Sequence, residues 1–269
     1  MKIDQFVTGE IEAFLNLALS EGWISSKREM VFLLEKFPQG CLTCRDGETP
    51  VAFVTAIKYD TSGWIGNLIV KEVYRGRGIG FSMMQRVLAI LNQAGAQTVW
   101  LTASRAGRPI YEKLGFYTID SVYRWTGEGS AAMIQGRTRV PFDEIVSVDI
   151  AGWGDRRHSL LEAICSNGEV FADKYGFLAV QRLKCCTQLG PWANKGEGDA
   201  AQILDSVVTP ARGRGTLCLD VPGRNVKAAS LLGSRGFLMA SESTLMYRGA
   251  VPCYNPAKIY ALASMGSMG

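Results

Sequence analysis

Apolar positions along the first 130 residues switch between helical and extended spacing. Ile11, Phe14, Leu15 and Ala18 mark one face of a helix over residues 8 to 20, with Thr8 as N-cap and Glu10 in its first turn. Ser26 is placed to cap a second helix, Lys27 to Phe37, which Pro38 and Gly40 stop. The period then shortens. Cys41 to Cys44 and Val51 to Tyr59 read as strands of a hairpin turning at Asp46-Gly47, and Trp64 to Val70 as a third strand. Phe81, Met84, Val87, Leu88 and Leu91 form the apolar stripe of a helix over Phe81 to Asn92, which Gly95 ends. Thr98 to Thr102 is a strand. Pro109 opens a short helix carrying Tyr111 and Leu114, and a strand through Ser121 to Trp125 follows. The predicted order is α, α, β, β, β, α, β, α, β.

The turn between the third strand and the long helix reads Arg75-Gly76-Arg77-Gly78-Ile79-Gly80. A helix N-terminus offers backbone N–H groups without intrahelical partners, and the helix dipole adds positive potential there. Glycines let a bulky anion approach that backbone, so the turn is suited to a phosphate, with Arg75 and Arg77 adding charge beside it. It is not a P-loop, because no Lys-Ser or Lys-Thr follows the glycines. Nor does it fit a dinucleotide fingerprint, since the third glycine comes one position too early.

Arg/Gln-Gly-x-Gly-x-Gly/Ala after a strand resembles the acetyl-CoA-binding motif of the GNAT acyltransferase superfamily. Ile110-Tyr111-Glu112-Lys113-Leu114-Gly115-Phe116, one strand later, resembles that family's hydrophobic-Tyr-x-x-x-Gly-Phe segment. The resemblance covers roughly residues 1 to 126. It implies an α/β (α+β) fold with a mixed, mostly antiparallel sheet flanked by helices. The strands on either side of the glycine loop and its helix would splay to admit the pantetheine arm of acetyl-CoA. It further implies that backbone groups of Leu68, Ile69 and Val70 line the pantetheine and acetyl groups. The main chain of Arg75, Gly76, Arg77, Gly78, Ile79 and Gly80 would hold the pyrophosphate. Tyr111 matches the family's general acid toward the leaving thiolate. Ser104 stands where the family has Asn, a shorter group still able to reach a pantetheine amide or a water. The implied reaction is direct attack of a small-molecule primary amine on the thioester. No base is identifiable: Glu72, Asp60 and Glu112 are the nearby carboxylates, and the lone His158 falls outside this region, as a surface or domain-interface residue.

At 269 residues the chain is long for a single domain, and its second half repeats the ending of the first. Thr216 to Val221 parallels the strand before Pro109, Ala229 to Phe237 parallels Pro109 to Phe116, and Leu245 to Arg248 parallels Val122 to Arg124. We therefore expect tandem domains, 1–130 binding acetyl-CoA and 137–269 a degenerate copy forming a wall of the acceptor pocket, joined by a linker over Gly127 to Gly136. Aligning the Gly-Phe pairs sets Leu232 opposite Tyr111. Leu189 to Asn194 occupies the expected loop region, with Pro191 removing a donor. Arg212-Gly213-Arg214-Gly215 mimics the phosphate turn but precedes a strand, so it reads as a simple turn. Lys258 to Ala263 suggests a last strand.

Composition narrows the partners. With 47% hydrophobic and 20% charged residues the chain can bury a sizeable core. Its net charge of +4 comes without basic runs or aromatic–basic alternation, which argues against nucleic acid. No apolar run approaches a membrane span, and no signal-peptide pattern opens the chain, so it reads as soluble and cytoplasmic. The seven cysteines are scattered. Cys41-x-x-Cys44 falls on one strand, where the odd separation points the two side chains to opposite faces, and Cys185-Cys186 on another; no second pair with zinc-ligand spacing exists and the chain has one histidine, so no metal is expected. Trp23, Tyr59, Trp64, Trp153 and Trp192 are aromatic candidates for lining a pocket. A CoA-binding sensor without turnover, a protein N-acetyltransferase and a homodimer are left open.

Overall fold

The computed structural model describes residues 1–131, 140–167, 169–196, 200–209 and 215–269. Strand β1 (Lys2–Gln5) precedes helices α1 (Ile11–Ser20) and α2 (Lys27–Lys36). Strands β2 (Leu42–Asp46), β3 (Thr49–Lys58) and β4 (Ser62–Val70) lead through the glycine-rich turn to α3 (Ile79–Gln93), β5 (Thr98–Ala103), α4 (Arg108–Lys113) and β6 (Tyr117–Glu128). A two-residue strand β7 (Ser130–Ala131) is followed by α5 (Phe142–Trp153), α6 (His158–Asn167), β8 (Glu169–Ala172), β9 (Gly176–Arg182), β10 (Thr187–Asn194) and α7 (Ala200–Val207). The chain ends through β11 (Val208–Thr209), β12 (Thr216–Pro222), α8 (Val226–Ser234), β13 (Leu238–Gly249) and β14 (Ile259–Ala261). Among the described residues no helix is long and apolar enough to cross a membrane.

Twelve of these strands make one sheet, in the order β1-β2-β3-β4-β5-β13-β6-β12-β10-β9-β8, with β14 added to β10. All pairs are antiparallel except β4 with β5 and β10 with β12. The two halves exchange their closing strands. β13 of the second half pairs with β5 from Thr98 to Ala103 on one side and with β6 on the other. β6 in turn pairs with β12 of the second half.

The expected tandem repeat is visible in local geometry. Gly115 (φ 81°) and Gly236 (φ 79°) both turn in the left-handed region. In each copy the following Phe N–H reaches back five residues, Phe116 to the Tyr111 carbonyl at 3.0 Å and Phe237 to the Leu232 carbonyl at 3.1 Å.

The helices cover both faces of the sheet. α3 and α4 bury Met83, Met84, Val87, Leu91 and Phe116 over the first half, and α7 and α8 bury Ile203, Leu204 and Leu232 over the second. On the opposite face α1, α2, α5 and α6 share one core with Phe53, Trp64, Phe177 and Leu245. Trp153 of α5 packs edge-on against Trp64 and Trp100, with ring centroids 5.9 and 5.6 Å apart. Just beyond it, Asp155 accepts hydrogen bonds from the N–H and hydroxyl groups of Thr61 and Ser62, at 2.5 to 2.9 Å. Burial alone would raise the Asp155 carboxyl, but these bonds hold it below its ordinary range.

Several expectations change. β1 has no counterpart in the sequence reading. The first helical turn is closed by Glu10, whose carboxylate accepts from the Val7 N–H at 3.1 Å, rather than by Thr8. Ser26 caps α2 as expected, accepting from the Glu29 N–H at 3.2 Å. Cys41 and Cys44 enter different cores, as their separation requires. Cys185 and Cys186 lie in the turn between β9 and β10, not on a strand. Leu189 to Asn194 is not a loop but part of β10; its pairing with β9 is interrupted between Leu189 and Trp192, and Pro191 sits in that irregularity. The start of the expected linker, Gly127 and Glu128, belongs to β6, and a Cβ at Gly127 would stand 2.7 Å from the Phe237 ring. Residues 132–136 of that linker, and Arg212, Gly213 and Arg214 of the second glycine-rich turn, lie outside the described residues.

Met246 sits fully buried on β13 between β5 and β6. Met246→Ala should cost about 2–5 kcal/mol. Because β13 joins both halves, chemical denaturation should show one transition shifted as a whole, not the loss of one half before the other.

Candidate functional site

β4 and β5 run parallel only where Ser62–Trp64 face Thr98–Trp100. Beyond that point they diverge, since β4 stays with β3 up to Val70 while β5 follows β13 to Ala103. Among the described residues, the facing edges of Leu68–Val70 and Leu101–Ala103 therefore have no strand partner. Pairing between β3 and β4 shifts register beside this gap, and Asn67 takes φ 56°, a left-handed conformation that Asn tolerates better than most residues. Its side-chain amide donates to Thr55 Oγ1 at 2.9 Å. The gap opens into a cavity of about 880 Å³.

Leu68, Ile69, Val70, Arg75, Gly76, Gly78, Ile79, Gly80, Ser104 and Tyr111 all line this cavity, so the structure brings together nearly every residue singled out from the sequence. Gly78 precedes α3 with φ 77° and brings no side-chain cap, so the first-turn N–H groups have no side-chain acceptor. A Cβ built at Gly76 or Gly78 meets nothing within 4 Å. The arginines are less available than the sequence suggests. Arg75 donates to the Val70 carbonyl at 3.0 Å and pairs with Glu21. Arg77 turns away from the cavity, donating to the Val73 carbonyl at 3.0 Å with its guanidinium 5.1 Å from the Tyr74 ring centroid. Both side chains brace the turn, through Val70, Glu21 and Val73.

Tyr111 is 9% exposed, held edge-on to Phe116 and against the turn that opens α4. A Cβ at Gly107 would lie 3.2 Å from its ring and 3.3 Å from Ser104 Oγ. Ser104 itself accepts from the Gly107 N–H at 3.1 Å, so its hydroxyl is tied to this turn. Burial pushes the Tyr111 hydroxyl up to about 12. At the equivalent place in the second half, Leu232 is fully buried in the core.

The second half and the last residues supply the rest of the lining. Leu160, Ala163 and Ile164 of α6 face the cavity, as do Arg124 of β6 and Gln188 of β10. Residues 263–268 cross beside β4: the Tyr59 hydroxyl donates to the Met268 carbonyl at 2.6 Å, and Gln181 donates to the Ala263 carbonyl at 2.8 Å. A Cβ at Gly66 would stand 2.2 Å from the Gly266 carbonyl, which explains the glycine there. Of the five aromatic candidates only Trp23, 39% exposed, lines the cavity; Tyr59, Trp64, Trp153 and Trp192 are buried. His158 is half-buried with its ring 5.1 Å from that of Phe142.

One lining residue escaped the sequence reading. Glu29, in the first turn of α2, lines the cavity with Asn67 and Ser267 as polar neighbours, and among the described residues its Oε1 is enclosed without a hydrogen-bond partner. Burial raises this carboxyl to about 7, more than those two polar neighbours lower it. Glu at the third position of a Ser-capped helix reads as a capping residue, which hid it. The carboxylates near the motifs do not line the cavity, and Glu112 is paired with Arg108 at 2.7 Å.

Residues 10–116 match the Acetyltransferase (GNAT) family, and residues 145–261 match the Acetyltransferase (GNAT) domain. The chain belongs to the GNAT acetyltransferases. It carries a second GNAT-like domain and is an acetyltransferase enzyme. The uncharacterized N-acetyltransferase YitH of Bacillus subtilis (strain 168) is 28% identical over 221 residues, 74% of each chain. A provisionally assigned acetyltransferase from Pyrococcus horikoshii shares the fold over 99% of this chain and 95% of its own, with TM-score 0.82 and 21% identity. A GCN5-related N-acetyltransferase from Sphaerobacter thermophilus does so over 97% and 98%, with TM-score 0.61 and 14% identity.

The raised Glu29 carboxyl has a consequence for stability. Because its folded value lies near 7 and its ordinary value at 4.5, ionisation opposes folding, and stability is lost as pH rises through that window. Thermal melts of Glu29→Gln should therefore match the parent at pH 4 and exceed it at pH 8.

Proposed function

We propose that this GNAT acetyltransferase moves the acetyl group of acetyl-CoA to the primary amine of a small molecule, inside the cavity between β4 and β5. The observation that carries this reading is a single chamber of about 880 Å³ that holds the glycine turn and Tyr111 and is walled by α6, β10 and residues 263–268. Its volume suits a compact ligand, being in the range of small-molecule sites. Walls from the second half favour a compact acceptor over an extended polypeptide. On this reading residues 1–130 hold the acetyl donor, and residues 137–269 supply the acceptor wall.

The residues present fit acetyl-CoA. The uncapped start of α3, with open space over Gly76 and Gly78, offers main-chain donors to a pyrophosphate. The unpartnered backbone of Leu68, Ile69 and Val70 offers strand-like hydrogen bonds to the amides of a pantetheine arm. When bound, acetyl-CoA supplies an activated acyl group on sulfur.

Tyr111 stays protonated across the neutral range because burial holds its hydroxyl up to about 12. A thiol has an ordinary pKa near 8.5, so a thiolate is a weaker base than the Tyr111 phenolate. Tyr111 therefore contributes by donating a hydrogen bond to charge developing on sulfur, and need not surrender its proton outright. Ser104 keeps the Tyr111 turn in place through the Gly107 N–H.

Tyr111→Phe removes only the donor. Its kcat should fall by about 100-fold or more, with acetyl-CoA affinity by calorimetry within about twofold of the parent, since the ring packing persists. An unchanged kcat would remove Tyr111 from the reaction. Gly78→Val imposes a β-branched side chain on φ 77° and should abolish measurable acetyl-CoA binding in a variant that remains folded. Retained binding would show that the turn does not hold the donor.

A further inference from the structure

Among the residues lining the cavity, Glu29 carries a carboxylate with Ser267 and Asn67 as its polar neighbours. Among the described residues, Glu29 Oε1 is enclosed without a hydrogen-bond partner. An enclosed carboxylate oxygen without a partner is costly, so its retention invites a functional reason. Ser26 accepts from the Glu29 N–H at 3.2 Å, while Glu29 Oε1 makes no bond back to the cap.

We propose that Glu29 is the general base of the reaction, receiving a proton from an aliphatic primary amine that arrives in the cavity as its ammonium ion. This rests on the reading of the cavity as the acetyl-transfer site. Three elements converge on Glu29: α2 carries it, Asn67 approaches from the register shift in β4, and Ser267 approaches from the segment after β14. Phe32, Leu160 and Ile164 give the same cavity an apolar side suited to the carbon skeleton of such an amine.

Glu242, a further carboxylate of the lining, accepts from the Ser121 hydroxyl at 2.8 Å. Arg28, the next residue on α2, directs its guanidinium to the Ala163 carbonyl of α6 at 3.2 Å. Glu21 and Arg75 pair with each other. On α6 Glu162 lies near Lys36 at 4.0 Å. Neither β4 nor residues 263–268 place an ionisable side chain on Glu29, and desolvation is the leading cause of its shift to about 7. The same desolvation lowers the pKa of a bound ammonium, drawing donor and acceptor together.

An alkylammonium ion carries two protons more than the amide nitrogen it becomes. One passes to the Glu29 carboxylate, leaving a neutral nitrogen that forms the C–N bond as the C–S bond breaks. The other ends on the departing sulfur, which Tyr111 hydrogen-bonds. Glu29 then releases its proton to solvent. Such a base is usable where it is ionised, so kcat/KM should rise with pH toward a plateau, with a midpoint near 7.

The test measures thiol release from acetyl-CoA by the full-length protein, with a panel of primary amines from phenethylamine to agmatine, between pH 5.5 and 9. For the amine giving most release, Glu29→Gln should lower kcat/KM by about 100-fold or more at pH 8. It should also erase the rise near pH 7, with acetyl-CoA affinity unchanged. Glu29→Asp should keep the rise at a reduced rate. A Gln variant that is fully active, or slower but with the rise intact, overturns the role of Glu29 while leaving the acetyl-transfer reading standing. Acetyl-CoA binding without thiol release from any amine overturns both readings. Should the Gln variant not fold, infrared titration of the parent and the Asp variant decides. A carboxyl band with midpoint near 7 that moves in the Asp variant is expected, and its absence sinks the assignment.

Discussion

β13 lies between β5 and β6, and its backbone satisfies two strand edges that the first half leaves open. A buried strand edge without partners is costly in unmet N–H and C=O groups, so this placement governs how the rest of the sheet can be arranged. Held by β13 on one side, β5 is free to part from β4 on the other after Trp100. The divergence creates the cavity. The same exchange sets β6 against β12, which brings Arg124 to Asp220 as a two-pronged ion pair at 2.8 and 2.9 Å between the halves. The two halves thus jointly form the sheet, the core on one of its faces and the chamber.

The repeat that builds this frame is symmetric, but its chemistry is not. Gly115-Phe116 and Gly236-Phe237 close their helices with the same backbone hydrogen bonds. Yet Tyr111 ends at the cavity and Leu232 in the core. The second copy has traded a polar position for packing, and where the first copy has a glycine turn, it continues β10. What it contributes instead is surface: α6, Gln188 and residues 263–268 face the chamber. A duplicated scaffold can keep its core pattern while the side chains at equivalent positions differ.

Much of this was legible from residues alone. Helix and strand identities in the first half follow from the spacing of Phe14, Met84, Val87 and Trp64, and the glycine turn follows from composition. Three things were not legible. Strand exchange cannot be read from local patterns, because β6 and β13 present the same alternation to either partner. The strand over Leu189 to Asn194 was not legible because alignment with the first half sets those residues opposite the glycine turn, whereas they continue β10 and an irregular step in its pairing accommodates Pro191. Glu29 was overlooked because its sequence position already had a bland explanation at a helix start. Only the approach of Asn67 and Ser267, 38 and 238 residues away along the chain, reveals what surrounds it.

The exchange also has a consequence for how the molecule is made. A ribosome delivers β5 and β6 well before β13, whose last residue is Gly249. Domains generally fold as they emerge, at about 5–20 residues per second. For several seconds or more, then, β5 exposes an edge whose proper neighbour does not yet exist, while β6 is at hand with the same alternating pattern. The nascent first half must either keep that edge free or surrender a premature pairing once the second half arrives. In this chain the cavity is finished late: its walls come together only after β14 and residues 263–268 have been made.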